Sequence, residues 1–336
     1  MRIAVDAMGG DDAPFCEVRG GLEACEAFGV EIALVGDETA IKGALSAIIA
    51  PVPSAISIIH TPTRIEMGES PLAVRRKKDA SICVATEQVK SGEAVAVISA
   101  GNSGASMAAA FFILGAIPGI DRPAIATMLP TLTGTSILID AGANVDCKPK
   151  HLLAFAMMGA VYAKDILGIE KPRVGLLNIG EEDSKGNELT KETFLLLKKA
   201  SLNFIGNIEG KELYAGAADV IVCDGFVGNV TLKVSEGLAE AITQFLKREI
   251  MASAIGRLGG FLLKPAFKRF KNKIDYAEYG GAPLLGVNGI SIISHGRSTP
   301  KAIKNAIRVA KESFERGVNR HIREEMAEAL PFMGES

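Results

Sequence analysis

The sequence has no tryptophan, only four tyrosines and four histidines, and five cysteines scattered over 336 residues. An odd number of cysteines without a Cys-x-x-Cys pair argues against a disulfide framework and a zinc site, and it suits a reducing cytosol best. The net charge of −2 provides no overall attraction to nucleic acid, so an acidic partner needs a local basic cluster. The cysteines are Cys16, Cys25, Cys83, Cys147 and Cys223.

Signals for export and for membrane insertion are also missing. Met1 and Arg2 lead directly into strand-like residues, without the apolar region of a secretory signal. The stretch from Ala94 to Ile120 is uncharged and long enough to cross a bilayer, but it contains the polar, glycine-bracketed letters SAGNSGAS. That break would leave backbone groups unpaired in lipid, so we expect a strand, a loop and a buried helix there. The sequence therefore predicts a cytoplasmic protein.

Neither the G-x-x-x-x-G-K-[ST] loop nor the G-x-G-x-x-G fingerprint of nucleotide-binding proteins occurs. The chain also lacks a linker rich in proline, serine or glycine and a repeat of fixed period. We therefore predict one catalytic domain over residues 1–336, with a helical insertion at about 252–274.

What the chain does contain is a regular alternation of short apolar, β-branched runs and longer helical patterns. This alternation predicts an α/β fold whose mostly parallel sheet is flanked by helices. The predicted strands are RIAVDA, EIALVG, residues 56–60, AVAVISAG, SILIDAGA, RVGLLNIG, NFIGNI, ADVIVCDG and GISIISHG, and the predicted helices lie near 15–28, 71–90, 103–114, 150–167, 188–199, 230–251 and 300–325.

Six of the predicted strands end in small polar residues. In open parallel sheets, ligands bind at the carboxyl ends of strands, where glycines let backbone N–H groups approach and helix N-termini add positive charge. We therefore expect the six ends to converge on one rim that binds an anion. The candidate binding residues are Asp6, Gly9, Gly10, Ser99, Gly101, Asn102, Ser103, Gly104, Asp140, Asn144, Asn178, Asn187 and Asp224.

Lys185 lies in one of these strand ends, in the letters IGEEDSKGNELT. It is either a solvated turn lysine balanced by the three acids before it, or a cation that holds a phosphate or stabilises the oxyanion of acyl transfer. The acids are a weak candidate for a divalent metal because no histidine stands near them, so we predict no metal site.

Three further positions have two interpretations each. Asn229 lies near the start of a long helix, where it either caps the helix or polarises a carbonyl. The loop AGNSGAS either cradles an anion or is a strand–helix turn capped by Ser103. His295 is a general acid–base, a phosphate contact or a structural residue. No Ser-His-Asp or Cys-His arrangement can be assembled, so covalent catalysis is not expected.

The sequence also contains two clusters of basic residues. Arg75 to Lys78 is expected to open a helix, where cations are unfavourable, and this indicates docking of an acidic partner. Residues 252–274 contain six basic residues and no acid, and Gly259-Gly260 and Pro265 are expected to break them into an amphipathic helical hairpin. Such a hairpin fits a membrane surface or an acidic partner, or else packs on the body or across a dimer. The expected contact residues are Arg75, Arg76, Lys77, Lys78, Arg257, Leu258, Phe261, Leu262, Lys264 and Lys268.

Eight segments carry a resemblance to a known family. They are MRIAVDAMGGDDAP, AVRRKKDAS, ISAGNSGASMAA, GIDRPA, DAGANVDCKP, GLLNIGEEDSKGNELT, CDGFVGNVTLK and YGGAPLLG. With them the chain resembles bacterial phosphate acyltransferase from Met1 to about Val309, and only the tail after Glu312 carries no motif.

The resemblance implies that inorganic phosphate attacks the thioester of a long-chain acyl carrier protein, giving acyl phosphate for phospholipid synthesis without a cofactor. It implies a Rossmann-like fold related to isocitrate and isopropylmalate dehydrogenases and phosphotransacetylases, a homodimer, and peripheral attachment to the inner face of the cytoplasmic membrane. The important lysine and asparagine of the family's motifs fall on Lys185 and Asn229. Asp12 departs from the pattern, since many relatives have histidine there.

We therefore expect Lys185 to hold phosphate while Asn229 and loop N–H groups polarise the thioester carbonyl. Two alternatives remain at this point. One is a metal-dependent dehydrogenase of the related fold, and the other is a membrane-associated scaffold without catalytic activity.

Overall fold

The computed structural model describes residues 1–49, 51–274 and 280–333, and one eleven-stranded sheet runs through them. The spatial order of its strands is β3-β2-β1-β4-β11-β10-β5-β6-β9-β7-β8. In chain order the strands are β1 (Arg2–Asp6), β2 (Glu31–Gly36), β3 (Ile56–His60), β4 (Ala96–Ser99), β5 (Ala124–Thr131), β6 (Gly134–Ile139), β7 (Val174–Asn178), β8 (Phe204–Glu209), β9 (Val220–Val222), β10 (Ala282–Leu285) and β11 (Ile290–Ile293).

Helices cover both faces of this sheet. They are α1 (Phe15–Phe28), α2 (Glu38–Ile48), α3 (Ser81–Lys90), α4 (Ser103–Ala109), α5 (Pro149–Tyr162), α6 (Glu188–Lys199), α7 (Gly225–Met251), α8 (Ala254–Ile274), α9 (Pro300–Glu315) and α10 (Val318–Met333). Short 3-10 turns occur at Pro71–Arg75 and Gly210–Glu212, and π-helical turns at Ala110–Leu114 and Ala163–Leu167 extend α4 and α5. The α/β class is confirmed, and the single-domain organisation stays a prediction.

All nine predicted strands are present, but β5 and β10 were not expected from the sequence. Each of them contains a proline, Pro130 in β5 and Pro283 in β10. Proline cannot donate to a ladder of hydrogen bonds and usually signals a strand boundary, so the pattern hid both strands.

These two strands change the direction of the sheet. β10 pairs antiparallel with both β11 and β5, and β5 pairs antiparallel with β6. β1, β2, β3, β4 and β11 are therefore parallel to one another, whereas β6, β9, β7 and β8 form a second parallel set that runs the opposite way. The two sets are staggered, and the register through β10 and β5 brings the end of β6 to within about one residue of the level at which β4 and β11 end. The convergence of the six polar ends on one shared rim stays a prediction.

The six polar strand ends come from these two sets, three from each, and we call the two groups of ends the first edge and the second edge. The first edge carries the ends of β1, β4 and β11, with Asp6, Ser99 and His295. The second edge carries the ends of β6, β9 and β7, with Asp140, Asp224 and Asn178. The loop after β6 also reaches the first half of the molecule, since Ala141 and Ala143 share an apolar cluster with Ile293.

The core follows the alternation of side chains along each strand. In the first half, Ile3 and Val5 of β1 pack in a cluster with Ile303 of α9, while Ala4 packs on the other face with Ile82 of α3. In the second half, one face packs against α5 and α6 and the other forms a smaller cluster that Leu232 of α7 contacts. Each half is therefore a layered βα unit.

The predicted helix at 71–90 is interrupted. The 3-10 turn ends at Arg75 and α3 begins at Ser81, so the basic run does not open a helix. The side chains of Thr61 and Thr63 donate hydrogen bonds to Asp79, and Ser81 N–H donates to the Thr63 carbonyl, so contacts with β3 and the loop after it hold the turn between the two helical segments. The predicted helix at 300–325 is likewise two helices, separated at Gly317, whose φ is 69°.

The predicted hairpin within 252–274 is also corrected. Residues Ala254–Ile274 form one helix that includes Pro265, and this helix contacts the end of α7. A Cβ on Gly260 would lie 2.6 Å from Cγ2 of Ile250, so this glycine allows close packing of α8 on α7 instead of breaking the helix. We call α7 and α8 the arm. Among the described helices, none combines the length and the apolar character that crossing a bilayer requires.

Candidate active site

The buried carboxylate of Asp140 organises the second edge. Its Oδ1 accepts hydrogen bonds from the N–H groups of Ile125, Gly142 and Ala143 at 2.9–3.1 Å. Its Oδ2 accepts from the backbone and side-chain nitrogens of Asn144 at 2.7 and 2.9 Å. Burial raises the pKa of the Asp140 carboxyl, and these hydrogen bonds offset part of the rise. Asp140 and Asn144 therefore shape the loop after β6, and a substrate contact by either residue stays a prediction.

The start of α7 packs directly on this loop. Asp224 is the N-cap, and its Oδ1 accepts from the N–H groups of Phe226 and Val227, each at 2.9 Å. Gly225 and Gly228 lie so close to Asn144 and to the Asp140 carbonyl that a Cβ at either position would collide. The helix thus begins five residues before the predicted 230, and Asp224 rather than Asn229 caps it.

Asn229 lies one turn further along α7. Its side chain is exposed, and its amide makes no hydrogen bond with the described residues. A Cβ on Gly142 would lie 2.8 Å from Asn229 Nδ2, and the φ of Gly142, 136°, is one that glycine adopts readily. The amide therefore lies over a glycine in a loop and is available to a substrate.

The loop that carries Lys185 follows β7, the neighbour of β9. The Lys185 N–H donates to the Glu182 carbonyl at 3.0 Å, and the Lys185 carbonyl accepts from Asn178 Nδ2 at 3.1 Å. Asn187 caps α6, since its Oδ1 accepts from Thr190 N–H at 2.9 Å. Asn178 and Asn187 thus use side-chain atoms to hold the loop and the helix.

Charges around Lys185 are arranged so that its ammonium has no ion pair with the described residues. Glu181 pairs with Lys211 and Asp183 pairs with Lys198, each at 3.4 Å. Lys185 itself is exposed. The acids that precede Lys185 in the sequence therefore neutralise its charge only in part, and the Lys185 ammonium can bind an anion.

The topology predicts a crevice at the carboxyl ends of β9 and β7, because the helices that follow these two strands pack on opposite faces of the sheet. α6 packs in the large cluster on the α5 face, whereas Leu232 of α7 packs on the other face. Such a switch of sides at adjacent parallel strands is where ligands bind in open α/β sheets. Lys185 and Asn229 come from the two chain segments that border this crevice.

The first edge has a similar crevice between β1 and β4, but the loops fill it. A Cβ on Gly9 would lie 2.7 Å from the Gly101 nitrogen, so the two loops are in contact. Ser99 Oγ donates to Asp6 Oδ2 at 2.7 Å, and Gly101 N–H donates to Ser99 Oγ at 3.1 Å. Asp6 and Ser99 are buried and hydrogen-bonded to each other, and their assignment as substrate contacts stays a prediction.

The AGNSGAS loop serves to hold residues 66–69 in place. Asn102 Oδ1 caps α4 by accepting from Ala105 N–H at 3.0 Å, so the expected cap Ser103 is instead the first residue of the helix. Asn102 Nδ2 lies 2.8–3.4 Å from the carbonyls of Glu66, Met67 and Glu69. Gly104 packs against Pro71, 2.6 Å from where a Cβ would be. The loop is therefore a strand–helix turn capped by Asn102, and anion binding by this loop stays a prediction.

His295 lies at the first edge, apart from Lys185 and Asn229 in the sheet. Its Nδ1 accepts from Arg297 N–H at 3.1 Å, and its carbonyl accepts from Ser298 N–H at 2.8 Å. The ring therefore takes part in the turn that leads to α9. Its assignment as a third catalytic residue stays a prediction.

Glu17 is a buried acid that the sequence pattern did not reveal. It is 1% exposed, and Gly10 N–H donates a hydrogen bond to its carboxyl group, while Oε2 has no partner among the described residues. Burial, followed by the nearby charges of Asp6 and Asp12, raises the pKa of Glu17 to about 8. The only sequence signal for it was an acid in the first turn of α1, which is the usual place for a solvated one.

Arg122 is a second residue that was missed. It directly precedes Pro123, whose carbonyl accepts from Asn144 Nδ2 at 2.7 Å. Burial raises the pKa of the nearby Cys147 thiol, and the charge of Arg122 offsets a small part of that rise. Its exposed guanidinium makes no hydrogen bond or ion pair with the described residues. Arg122 belongs to the segment GIDRPA, but the sequence pattern did not predict β5, the strand that follows this segment.

The basic run at 75–78 is only partly available to a partner. Arg75 stacks on the Phe112 ring at 4.2 Å, and Lys77 pairs with Glu69 at 2.8 Å. Arg76 and Lys78 are exposed and make no hydrogen bond or ion pair with the described residues. On the arm, Arg257 donates to the Met251 carbonyl at 3.3 Å, while Leu258, Phe261, Leu262, Lys264 and Lys268 are exposed.

The described residues also line a cavity of about 390 Å³ away from both groups of polar ends. It lies at the amino ends of β6, β7 and β9, where Arg173 and Asp219 pair at 2.8 Å. Because each cation there is matched by an acid, we place the chemistry at the crevice and not in this cavity. The described residues contain no group of three histidine, cysteine or acidic side chains that suits a metal ion.

Comparison with known proteins agrees with the fold and with the motifs. Residues 1–321 match the profile of a family described as fatty acid synthesis protein. A phosphate acyltransferase from Desulfitobacterium hafniense is 58% identical over 328 residues, which are 97% of this chain and 98% of that relative. One from Geobacter sulfurreducens is 54% identical over 327 residues, 97% of this chain and 94% of that relative.

The chain belongs to the phosphate acyltransferase family. The resemblance noted in the sequence is thereby confirmed, and membership of this family identifies the chain as an acyltransferase. It also removes the support for the alternative of a dehydrogenase.

Solved structures with the same architecture are phosphotransacetylases. One from Streptococcus pyogenes gives a TM-score of 0.65 at 19% identity, over 94% of each chain. One from Staphylococcus aureus gives 0.60 at 17% identity, over 93% of this chain and 94% of the other. At these identities the likeness establishes the fold alone, and it confirms the predicted relation to phosphotransacetylases.

The buried Glu17 predicts a pH-dependent stability. An unfolded glutamate ionises near 4.5, whereas the folded group keeps its proton to about pH 8, so the free energy of unfolding falls as pH rises through this window. Glu17→Gln lacks this dependence and should be more stable than the wild type at pH 8 by roughly 2–4 kcal/mol, with a smaller difference at pH 5. Urea denaturation of both proteins at several pH values measures it, and parallel profiles would refute the assignment.

Proposed function

We propose that this chain transfers a long-chain fatty acyl group from acyl carrier protein to inorganic phosphate, and that the acyl phosphate serves phospholipid synthesis. Family membership supports acyl transfer in general, and the carrier protein and the product are the proposed part. The observation that carries the proposal is the exposed Lys185 ammonium, which lacks an ion pair with the described residues and follows β7, the neighbour in the sheet of β9, after which α7 presents Asn229.

The proposed chemistry needs little from the protein beyond position and charge. A phosphate oxygen attacks the thioester carbon, the C–O bond to phosphate forms, and the C–S bond then breaks to release the carrier thiolate, which takes up a proton. Lys185 holds the phosphate dianion as a point charge. Asn229 Nδ2 donates to the carbonyl oxygen as negative charge develops there. No cofactor enters these steps.

Loop N–H groups take a smaller part than the sequence indicated. The N–H groups of Gly142, Ala143 and Asn144 already donate to Asp140. Stabilisation of the oxyanion therefore falls mainly to the Asn229 side chain. The alternative of a scaffold without activity does not account for an available cation and an available amide at one crevice.

Lys185→Ala is expected to lower phosphate-dependent release of the carrier thiol at least about 100-fold, because the attacking anion loses its only nearby cation in our scheme. Lys198→Ala and Lys211→Ala are matched controls, since both remove a lysine from the same surface but one that pairs with an acid. The release is measured with a thiol reagent on acyl carrier protein. Near-normal activity of Lys185→Ala would rule out this role.

The carrier protein is expected to be acidic, and we propose that it docks on Arg76 and Lys78. These two cations are exposed and without ion pairs among the described residues, whereas Arg75 and Lys77 are held by Phe112 and Glu69. Complementary charge mainly accelerates association, and added salt screens it.

Arg76→Glu with Lys78→Glu should lower kcat/KM for the acyl carrier protein about 10-fold at low salt and flatten its dependence on salt. Lys90→Glu with Lys171→Glu changes the net charge equally at other positions and should leave both unchanged. A salt dependence that survives in the first variant would exclude this docking surface.

The arm is the proposed contact with the membrane and with a second copy of the chain. α7 exposes a stripe of apolar residues at helical spacing, among them Val234, Leu238, Ile242 and Phe245. α8 exposes Ile255, Leu258, Phe261 and Leu262 beside its basic residues. We propose that the α7 stripe packs in a homodimer, and that α8 lies on the anionic inner face of the cytoplasmic membrane.

Paired variants separate these two contacts. Leu238→Glu should give a monomeric mass in analytical ultracentrifugation, while Leu258→Asp with Phe261→Asp should keep the dimer but lose flotation with anionic liposomes. Leu132, which is 90% exposed on the β5–β6 hairpin, provides the control Leu132→Asp. Unchanged mass in the first variant or unchanged flotation in the second would contradict the corresponding contact.

A further inference from the structure

The backbone of Lys185 is held by the side chains of two asparagines on neighbouring strands. Asn178 ends β7, and Asn207 lies on β8, where it pairs in register with Leu176 of β7. Neither residue contacts the Lys185 ammonium. Their contacts are with the main chain on either side of it.

Asn207 is 6% exposed. Its Nδ2 donates to the Glu182 carbonyl at 2.9 Å, and the same carbonyl accepts the Lys185 N–H at 3.0 Å. Asn207 therefore fixes the acceptor that closes the turn from Glu182 to Lys185. Its Oδ1 is buried and has no hydrogen-bond partner among the described residues.

Asn178 fixes the other side of Lys185. Its Nδ2 donates to the Lys185 carbonyl at 3.1 Å, and its Oδ1 accepts from the Ile179 N–H at 2.9 Å. Gly186 follows with a φ of 101°, and a Cβ there would lie 2.5 Å from Asn178 Oδ1. The N–H and the carbonyl of Lys185 are thus both tied to the sheet, one through each asparagine.

The burial of Asn207 is costly for stability. A buried amide with an unpaired oxygen loses hydration that one hydrogen bond does not restore, whereas an apolar side chain of similar size loses nothing of this kind. Folding alone therefore favours leucine at this position on β8. What asparagine adds is the hydrogen bond to the Lys185 turn.

We propose that Asn207 is a positioning residue that holds the Lys185 turn in the orientation needed to bind phosphate. The inference rests on the proposed function of Lys185. An ammonium on a flexible four-carbon stem reaches one place reproducibly only if its backbone is fixed, and displacement by about 1 Å can lower a rate by about 100-fold.

The test is Asn207→Leu in the full-length protein. We expect a melting temperature equal to or above that of the wild type, together with a kcat/KM for phosphate that is about 10- to 100-fold lower, mainly through a higher KM for phosphate. Asn203→Leu is the matched control, since Asn203 Nδ2 also donates to a carbonyl, that of Lys171 at 3.1 Å, but at the other end of β8. If Asn207→Leu does not fold, Asn207→Ala replaces it with the same expectation for KM.

A double-mutant comparison separates the inference from the function on which it rests. In a Lys185→Ala background, Asn207→Leu should change the residual rate less than about 3-fold, because the two residues act through one contact. A KM for phosphate in Asn207→Leu equal to that of the wild type would overturn the positioning role. An equal fold decrease in rate in the presence and absence of the Lys185 side chain would overturn it as well. Full activity of Lys185→Ala alone would instead refute the proposed function.

Discussion

The hydrogen bonds to the buried Asp140 carboxylate are the interaction on which the second edge depends. A carboxylate without solvent access is tolerated only when N–H donors replace its hydration, and here β5, the loop after β6 and Asn144 provide them. The closed loop in turn leaves room for Gly228, so that α7 begins against the Asp140 carbonyl and presents Asn229 over Gly142. The position of the available amide follows from this packing.

Electrostatics then distinguishes the two edges of the sheet. At the first edge, Asp6 and Glu17 are buried acids, and both have a raised pKa because of burial. At the second edge, Lys185 is an exposed cation whose neighbouring acids Glu181 and Asp183 pair with other lysines. The second edge also contains a buried acid, Asp140, whose pKa is raised by burial, so it is the exposed Lys185 cation that favours an anionic substrate there. The acids of the first edge serve instead to hold its loops together.

Much of this arrangement could be predicted from the sequence, because apolar runs and polar strand ends are local signals. The roles of the polar ends could not, since an Asp or Asn after a strand is suited equally to binding a ligand and to capping the next helix. Asn102, Asn187 and Asp224 proved to be caps. The direction of the strands was hidden as well, because β5 and β10 contain prolines and the pairing between them joins segments that are distant in sequence. Glycines that permit close packing, such as Gly260, resemble helix breakers in sequence.

The most direct test of the central claim is a crystal structure with inorganic phosphate bound. The account predicts phosphate density between the Lys185 ammonium and the Asn229 amide, in the crevice between β9 and β7. Density at the first edge, beside Gly101 and His295, with none near Lys185, would contradict it.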